Sequence, residues 1–258
     1  MFRRILALTS LALTAAFAVG VAPASASHAW NNYHWARTAN PFTLTVVDSN
    51  TPDWDDNQAM ALADWSTSTV MDVVREPGLG DDSQRARKRC VMISGKIHSC
   101  NASYGFNGWL GLASINISGG HITQGSAKMN DSYFNSGSYT ETNRQHVMCQ
   151  EIGHDFGLTH QDETGADLQT CMDYADALDN PSPNQHDYDQ LQTIYSHTDS
   201  STTIGASSVG SLPDAVPSWA PATQRARSVY VDQLADGTEL VTFVLWANPI
   251  HPWTPGAS

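Results

Sequence analysis

The spacing of hydrophobic and polar positions changes several times along the chain, and each change predicts an element. Residues Ile5 to Val21 are almost wholly apolar, follow a short basic start at Arg3 and Arg4, and lead into Ala24-Ser25-Ala26. A basic start, an apolar run and a small-x-small site form a secretory signal peptide over residues 1–26. The run is short and no second one follows, so no membrane association is expected after cleavage. Phe42 to Asp48 (FTLTVVD) is rich in β-branched residues and predicts a strand. Asp55 or Asp56 then caps a helix through Ala59, Leu62, Ala63 and Trp65 towards Val74, stopped by Glu76-Pro77-Gly78. Arg85 to Cys100 reads as a hairpin, and Gly108 to Ile122 as strand material broken by Gly119-Gly120. Asn130 to Thr142 is a polar loop. A helix begins near Asn143, carries Val147, Met148, Ile152 and Phe156, and stops at Gly157. Another begins at Asn184 or Asp187 and runs through Tyr188, Leu191, Ile194 and Tyr195. Ser196 to Pro221 is linker-like. Ser228 to Leu234 and Glu239 to Trp246 flank Asp236-Gly237 as a separate β-hairpin. Strands and helices in this order predict an α+β fold. The domain plan is a signal over 1–26, a main domain over 27–199, and a linker with a C-terminal β-hairpin extension over 200–258.

Composition narrows the function. The chain has 258 residues with 41% hydrophobic positions, enough for a packed core. Its formal charge is −13, and loss of Arg3 and Arg4 makes it more acidic still. That acidity argues against nucleic-acid binding, which needs clustered Lys and Arg. Four cysteines, Cys90, Cys100, Cys149 and Cys171, suit disulfides in an exported chain. Three pairings are possible. Cys90–Cys100 is preferred because it closes the expected hairpin, leaving Cys149–Cys171, although Cys149 could also be a buried thiol. The acidic run Asp53-Trp54-Asp55-Asp56-Asn57 offers carboxylates to a structural Ca2+ ion, but a helix N-terminus explains it better. His121, His186 and His197 read as surface or capping residues, and His98 has no recognisable spacing.

The informative segment is Gln150-Glu151-Ile152-Gly153-His154-Asp155-Phe156-Gly157-Leu158-Thr159-His160. On a helix, positions 150 and 154 share a face, and Glu151 lies about 100° round from Gln150. Gly157 can turn the chain in a left-handed conformation, so that His160 swings back. Three such ligands and one open position suit a catalytic zinc, with a carboxylate nearby to move protons. The spacing resembles the metzincin signature His-Glu-x-x-His-x-x-Gly-x-x-His. Glu151, His154, Gly157 and His160 stand at matching positions. Cys171-Met172-Asp173-Tyr174 is similar to the Met-turn, with Met172 as its methionine. Tyr174 matches a tyrosine that astacin-like and serralysin-like members place beside the metal.

The resemblance covers roughly Phe42 to His197. It implies a metzincin-like catalytic domain: a twisted mixed sheet, an active-site helix, a Met-turn and a C-terminal helix. It implies a secreted, monomeric zinc endopeptidase acting on protein or peptide substrates, with Glu151 as general base, Tyr174 in catalysis, and His154, His160 and Gln150 as metal ligands. A Cys149–Cys171 bridge would tie the helix to the Met-turn. Gln150 departs from the pattern. An amide oxygen is a neutral, hard donor, better suited to calcium or magnesium than zinc. His146 offers an imidazole one turn earlier, but about 12 Å along the axis from His154, too far to share an ion. The alternatives are that the Gln150 amide bonds a neighbour such as Tyr174 rather than the metal, and that the chain is an impaired metzincin fold serving as a secreted binding or inhibitory module. A carbohydrate-binding role for the hairpin through Tyr230, Phe243 and Trp246 is a third possibility.

Overall fold

The computed structural model describes residues 27–205, apart from 163, 165 and 175–177, and residues 228–247. The signal peptide and most of the expected linker lie outside them. Eight strands form one mixed sheet: β1 (His34–Trp35), β2 (Phe42–Ser49), β3 (Met71–Pro77), β4 (Ile97–Ala102), β5 (Trp109–Ser118), β6 (His121–Asn130), β7 (Val229–Gln233) and β8 (Glu239–Trp246). Their order is β3-β2-β4-β6-β5-β8-β7, with β1 paired to β6. Strands β2, β3, β4 and β6 run parallel, whereas β5, β8 and β7 pair antiparallel. Five α-helices accompany them among the described residues: α1 (Asp55–Trp65), α2 (Gln84–Arg89), α3 (Asp131–Phe134), α4 (Glu141–His154) and α5 (Gln185–Ile194). This is the expected α+β class.

Several sequence expectations need correction. Helix α1 stops at Trp65, and Met71–Pro77 is strand β3, paired parallel with β2. Val73 and Val74 are β-branched and fit a half-buried strand better than a helix end. The hairpin over Arg85 to Cys100 does not form. Gln84–Arg89 is a helix of good helix formers, and Ser83 caps it by accepting from the Ala86 amide. Cys90 then reverses the chain at φ 46°. The Cys90–Cys100 and Cys149–Cys171 bridges are both present. The 130–142 loop contains α3, and α4 begins earlier than Asn143, capped by a reciprocal box between Thr140 and Asn143. The C-terminal hairpin is formed but not separate, because β8 pairs along almost all of β5. Strand β8 is buried on both faces, and such a continuous apolar run belongs inside a sheet.

The core lies between the sheet and helices α1 and α4, and it fixes the end of α4 closely. A helix leaves its last carbonyls unpaired. Here buried aromatic donors take carbonyls in the second half of the helix and just beyond its end. Trp65 Nε1 donates to the Cys149 oxygen at 3.0 Å, Trp35 Nε1 to Asp155 at 2.8 Å, and the Tyr195 hydroxyl to Phe156 at 2.9 Å. The Trp30 amide donates to the Gly157 carbonyl at 3.0 Å. Gly157 itself has φ +93°, and a Cβ there would lie 2.2 Å from the Tyr33 carbonyl oxygen. Gly205 has a similar φ of +79° but open space around it. Left-handed backbone alone costs an L-residue about 1–2 kcal/mol. Gly205→Ala is therefore expected to lose about that much stability and Gly157→Ala clearly more. Denaturant midpoints of the two variants check this, and equal losses would contradict the packing described.

Candidate metal centre

Helix α4 carries Gln150, Glu151 and His154 into the core, where all three are buried. His154 Nδ1 lies 2.9 Å from the Leu158 carbonyl, so it is the protonated nitrogen, and Nε2 presents a lone pair. After the turn at Gly157, His160 brings its own Nε2 to 3.2 Å from that of His154. Burial, then the neighbouring His160, holds the His154 pKa well below the usual histidine range, which keeps the ring neutral. Segment 161–162 pairs with the Met-turn: the Gln161 amide donates to Met172 O at 2.7 Å and the Tyr174 amide to Asp162 O at 3.2 Å. Met172 packs beneath Gly153, where a Cβ would come within 2.5 Å of its sulfur. Its amide donates to Thr170 Oγ1, whose hydroxyl bonds Asp187 on α5. The Tyr174 ring stands 4.7 Å from that of His160.

Gln150 is bonded to the Met-turn backbone rather than to Tyr174. Its Nε2 donates to Cys171 O at 2.7 Å and to Asp173 O at 2.8 Å. Two acceptors on one end fix the amide's orientation. The other end, Oε1, is buried and accepts no hydrogen bond among the described residues. Both Glu151 oxygens are likewise buried without a partner. Burial, with Asp155 nearby, raises the Glu151 pKa well above its ordinary value. Buried acceptors without donors are costly, and a cation satisfies them. Two imidazole nitrogens 3.2 Å apart, with an orphaned amide oxygen one helical turn before His154, fit a zinc ion. His146 is tied elsewhere, with Nδ1 at 2.8 Å from the Asn180 carbonyl, and burial lowers its pKa to about 4.

A family model described as matrixin matches residues 29–196. The chain belongs to the matrixin family. Matrixins are metzincin-type zinc metalloproteases, so the fold, the protease class and the metal expected from the signature agree with this membership. No curated protein matches the chain. Among solved structures it is similar to high choriolytic enzyme 1, a hatching-enzyme zinc protease of the medaka fish Oryzias latipes. That match has 13% identity and a TM-score of 0.35, over 63% of this chain and 94% of that one.

Three features of this matrixin escaped sequence reasoning. Asp155 is fully buried, accepts from the Ser126 amide at 3.1 Å, and lies beside Gly125. Phe243 of β8 stacks flat on the His154 ring, 4.3 Å away and 4° from parallel. His34, His121, His197 and Asp199 gather at one place, although two of those histidines read as surface residues. The His197-x-Asp199 spacing was the available signal for that cluster.

Proposed function

We propose that this matrixin is a secreted zinc endopeptidase whose metal is held by His154, His160 and the side-chain oxygen of Gln150. The observation that carries the reading is the 3.2 Å approach of the two Nε2 atoms, with Gln150 one helical turn before His154 and its amide oxygen left unbonded. Zinc held there supplies Lewis acidity, polarising a peptide carbonyl and acidifying water. Glu151 is the general base: its carboxylate takes the proton of the attacking water and passes it to the leaving amine. A nearby cation favours the ionised carboxylate and opposes the burial that raises its pKa. Tyr174 faces His160 and donates its hydroxyl to the developing oxyanion. The paired cysteines suit an oxidising compartment, which supports export.

Gln150 also favours a second reading, a metzincin fold that binds peptides without cleaving them. Hydrolysis by the wild-type protein separates the two. Glu151→Gln keeps the shape of a side chain that makes no hydrogen bond. It is expected to retain zinc, measured by elemental analysis, and to lose about 100- to 10,000-fold in peptide hydrolysis. Equal cleavage by variant and wild type would remove Glu151 from this role.

A further inference from the structure

Outside the centre just described, three imidazoles converge on one carboxylate. His34 comes from β1, His121 from the start of β6, and His197 and Asp199 from the segment after α5. Asp199 Oδ1 lies 3.5 Å from His34 Nε2, 3.3 Å from His121 Nε2 and 3.7 Å from His197 Nε2. The Nε2 atoms of His34 and His197 are 3.2 Å apart. Four ligands at bonds of ~2.0–2.1 Å around a tetrahedral zinc stand about 3.3 Å from one another. His34 Nδ1 lies 2.9 Å from the Asn32 carbonyl, which orients the ring so that Nε2 faces Asp199. The other carboxylate oxygen, Oδ2, is anchored by Arg37, through its amide at 3.1 Å and its Nη1 at 3.0 Å. Arg37 also bonds the His197 carbonyl. The guanidinium thus orients the carboxylate and leaves Oδ1 for the histidines.

We propose that His34, His197 and Asp199, completed by His121, bind a second divalent transition-metal ion, zinc by the three-nitrogen, one-oxygen donor set. With four protein ligands the site is structural. It clamps the N-terminal segment and the chain after α5 onto β6, and two of its ligands lie beyond the family-matched residues 29–196. The test is metal stoichiometry by elemental analysis after zinc loading and removal of excess. The wild type is expected to hold two equivalents, Asp199→Asn or His197→Gln one, and the His154→Ala/His160→Ala variant one. Cobalt loaded into that last variant, in which the second site is intact, should give the intense visible bands of tetrahedral coordination. A wild type holding one equivalent that vanishes in His154→Ala/His160→Ala would overturn the proposal. So would a second equivalent that survives Asp199→Asn.

A different observation concerns access to the first centre, and it rests on the peptidase reading above. Extended peptides commonly bind by adding a strand to a sheet edge. Strand β5 runs past Glu151 so closely that a Cβ at Gly111 would meet Glu151 Oε1 at 2.2 Å. Its edge away from β6 is taken by β8, with Leu245 opposite Gly111 and Phe243 opposite Ala113. Phe243 then covers the His154 ring. We infer that the C-terminal hairpin is an autoinhibitory strand, lying where a substrate strand would lie, and that it must peel away for cleavage. Phe243→Ala removes the cover, and Phe243→Leu keeps most of its apolar bulk without the flat ring. Both are expected to speed zinc extraction by a chelator and to raise peptide hydrolysis several-fold. Unchanged rates in both variants, with zinc in the first centre of the wild type, would overturn the inference while leaving the peptidase reading intact. Absence of zinc from that centre would overturn both.

Discussion

Two hydrogen bonds from one amide nitrogen organise the centre of this molecule. Gln150 Nε2 donates to the carbonyls of Cys171 and Asp173, joining helix α4 to the Met-turn at the depth of the metal centre. The bonds leave the amide no freedom to flip, because a flipped amide would set oxygen against two carbonyl oxygens. Hence Oε1 is aimed away from the turn. In a histidine ligand, one nitrogen binds metal while the other donates to a supporting acceptor. On the proposed ligation, the glutamine divides those two tasks within a single amide group. The Cys149–Cys171 bridge connects the neighbouring residues covalently, so the same junction is secured twice.

The fold around this junction serves to hold the end of α4. Trp65, Trp35 and Tyr195 come from three separate stretches of chain, and each sends its polar atom to a carbonyl between Cys149 and Phe156. Each aromatic buries a large apolar body and places one donor, which makes the contact both adhesive and directional. Strand β5 supports the opposite side with glycine at position 111, leaving room for Glu151. The result is a centre whose side chains are set by packing before any ion arrives.

Much of this was legible in the sequence, for identifiable reasons. The spacing of Glu151, His154, Gly157 and His160 encodes a helix, a turn and a return, all of them local, so it survives without tertiary information. The capping residue Asn184 announced α5 in the same way. What failed was non-local. Val73 and Val74 follow a helix and look like its continuation, yet pairing with β2 makes them strand. The β8 run looked like half of an isolated hairpin because its partner, β5, lies over a hundred residues earlier. The partners of the Gln150 amide were not readable because the carbonyls it bonds belong to the Met-turn, twenty-odd residues away. The histidines around Asp199 were unremarkable one at a time, and only the fold brings them together.

The most direct measurement is anomalous diffraction at the zinc absorption edge from crystals of the zinc-loaded wild-type protein. The account predicts a peak bonded to His154 Nε2, His160 Nε2 and Gln150 Oε1, at about 2.0–2.2 Å from each, with Gln150 Nε2 still on the carbonyls of Cys171 and Asp173. A centre without a zinc peak, or a zinc ion with the Gln150 oxygen turned away from it, would contradict the account.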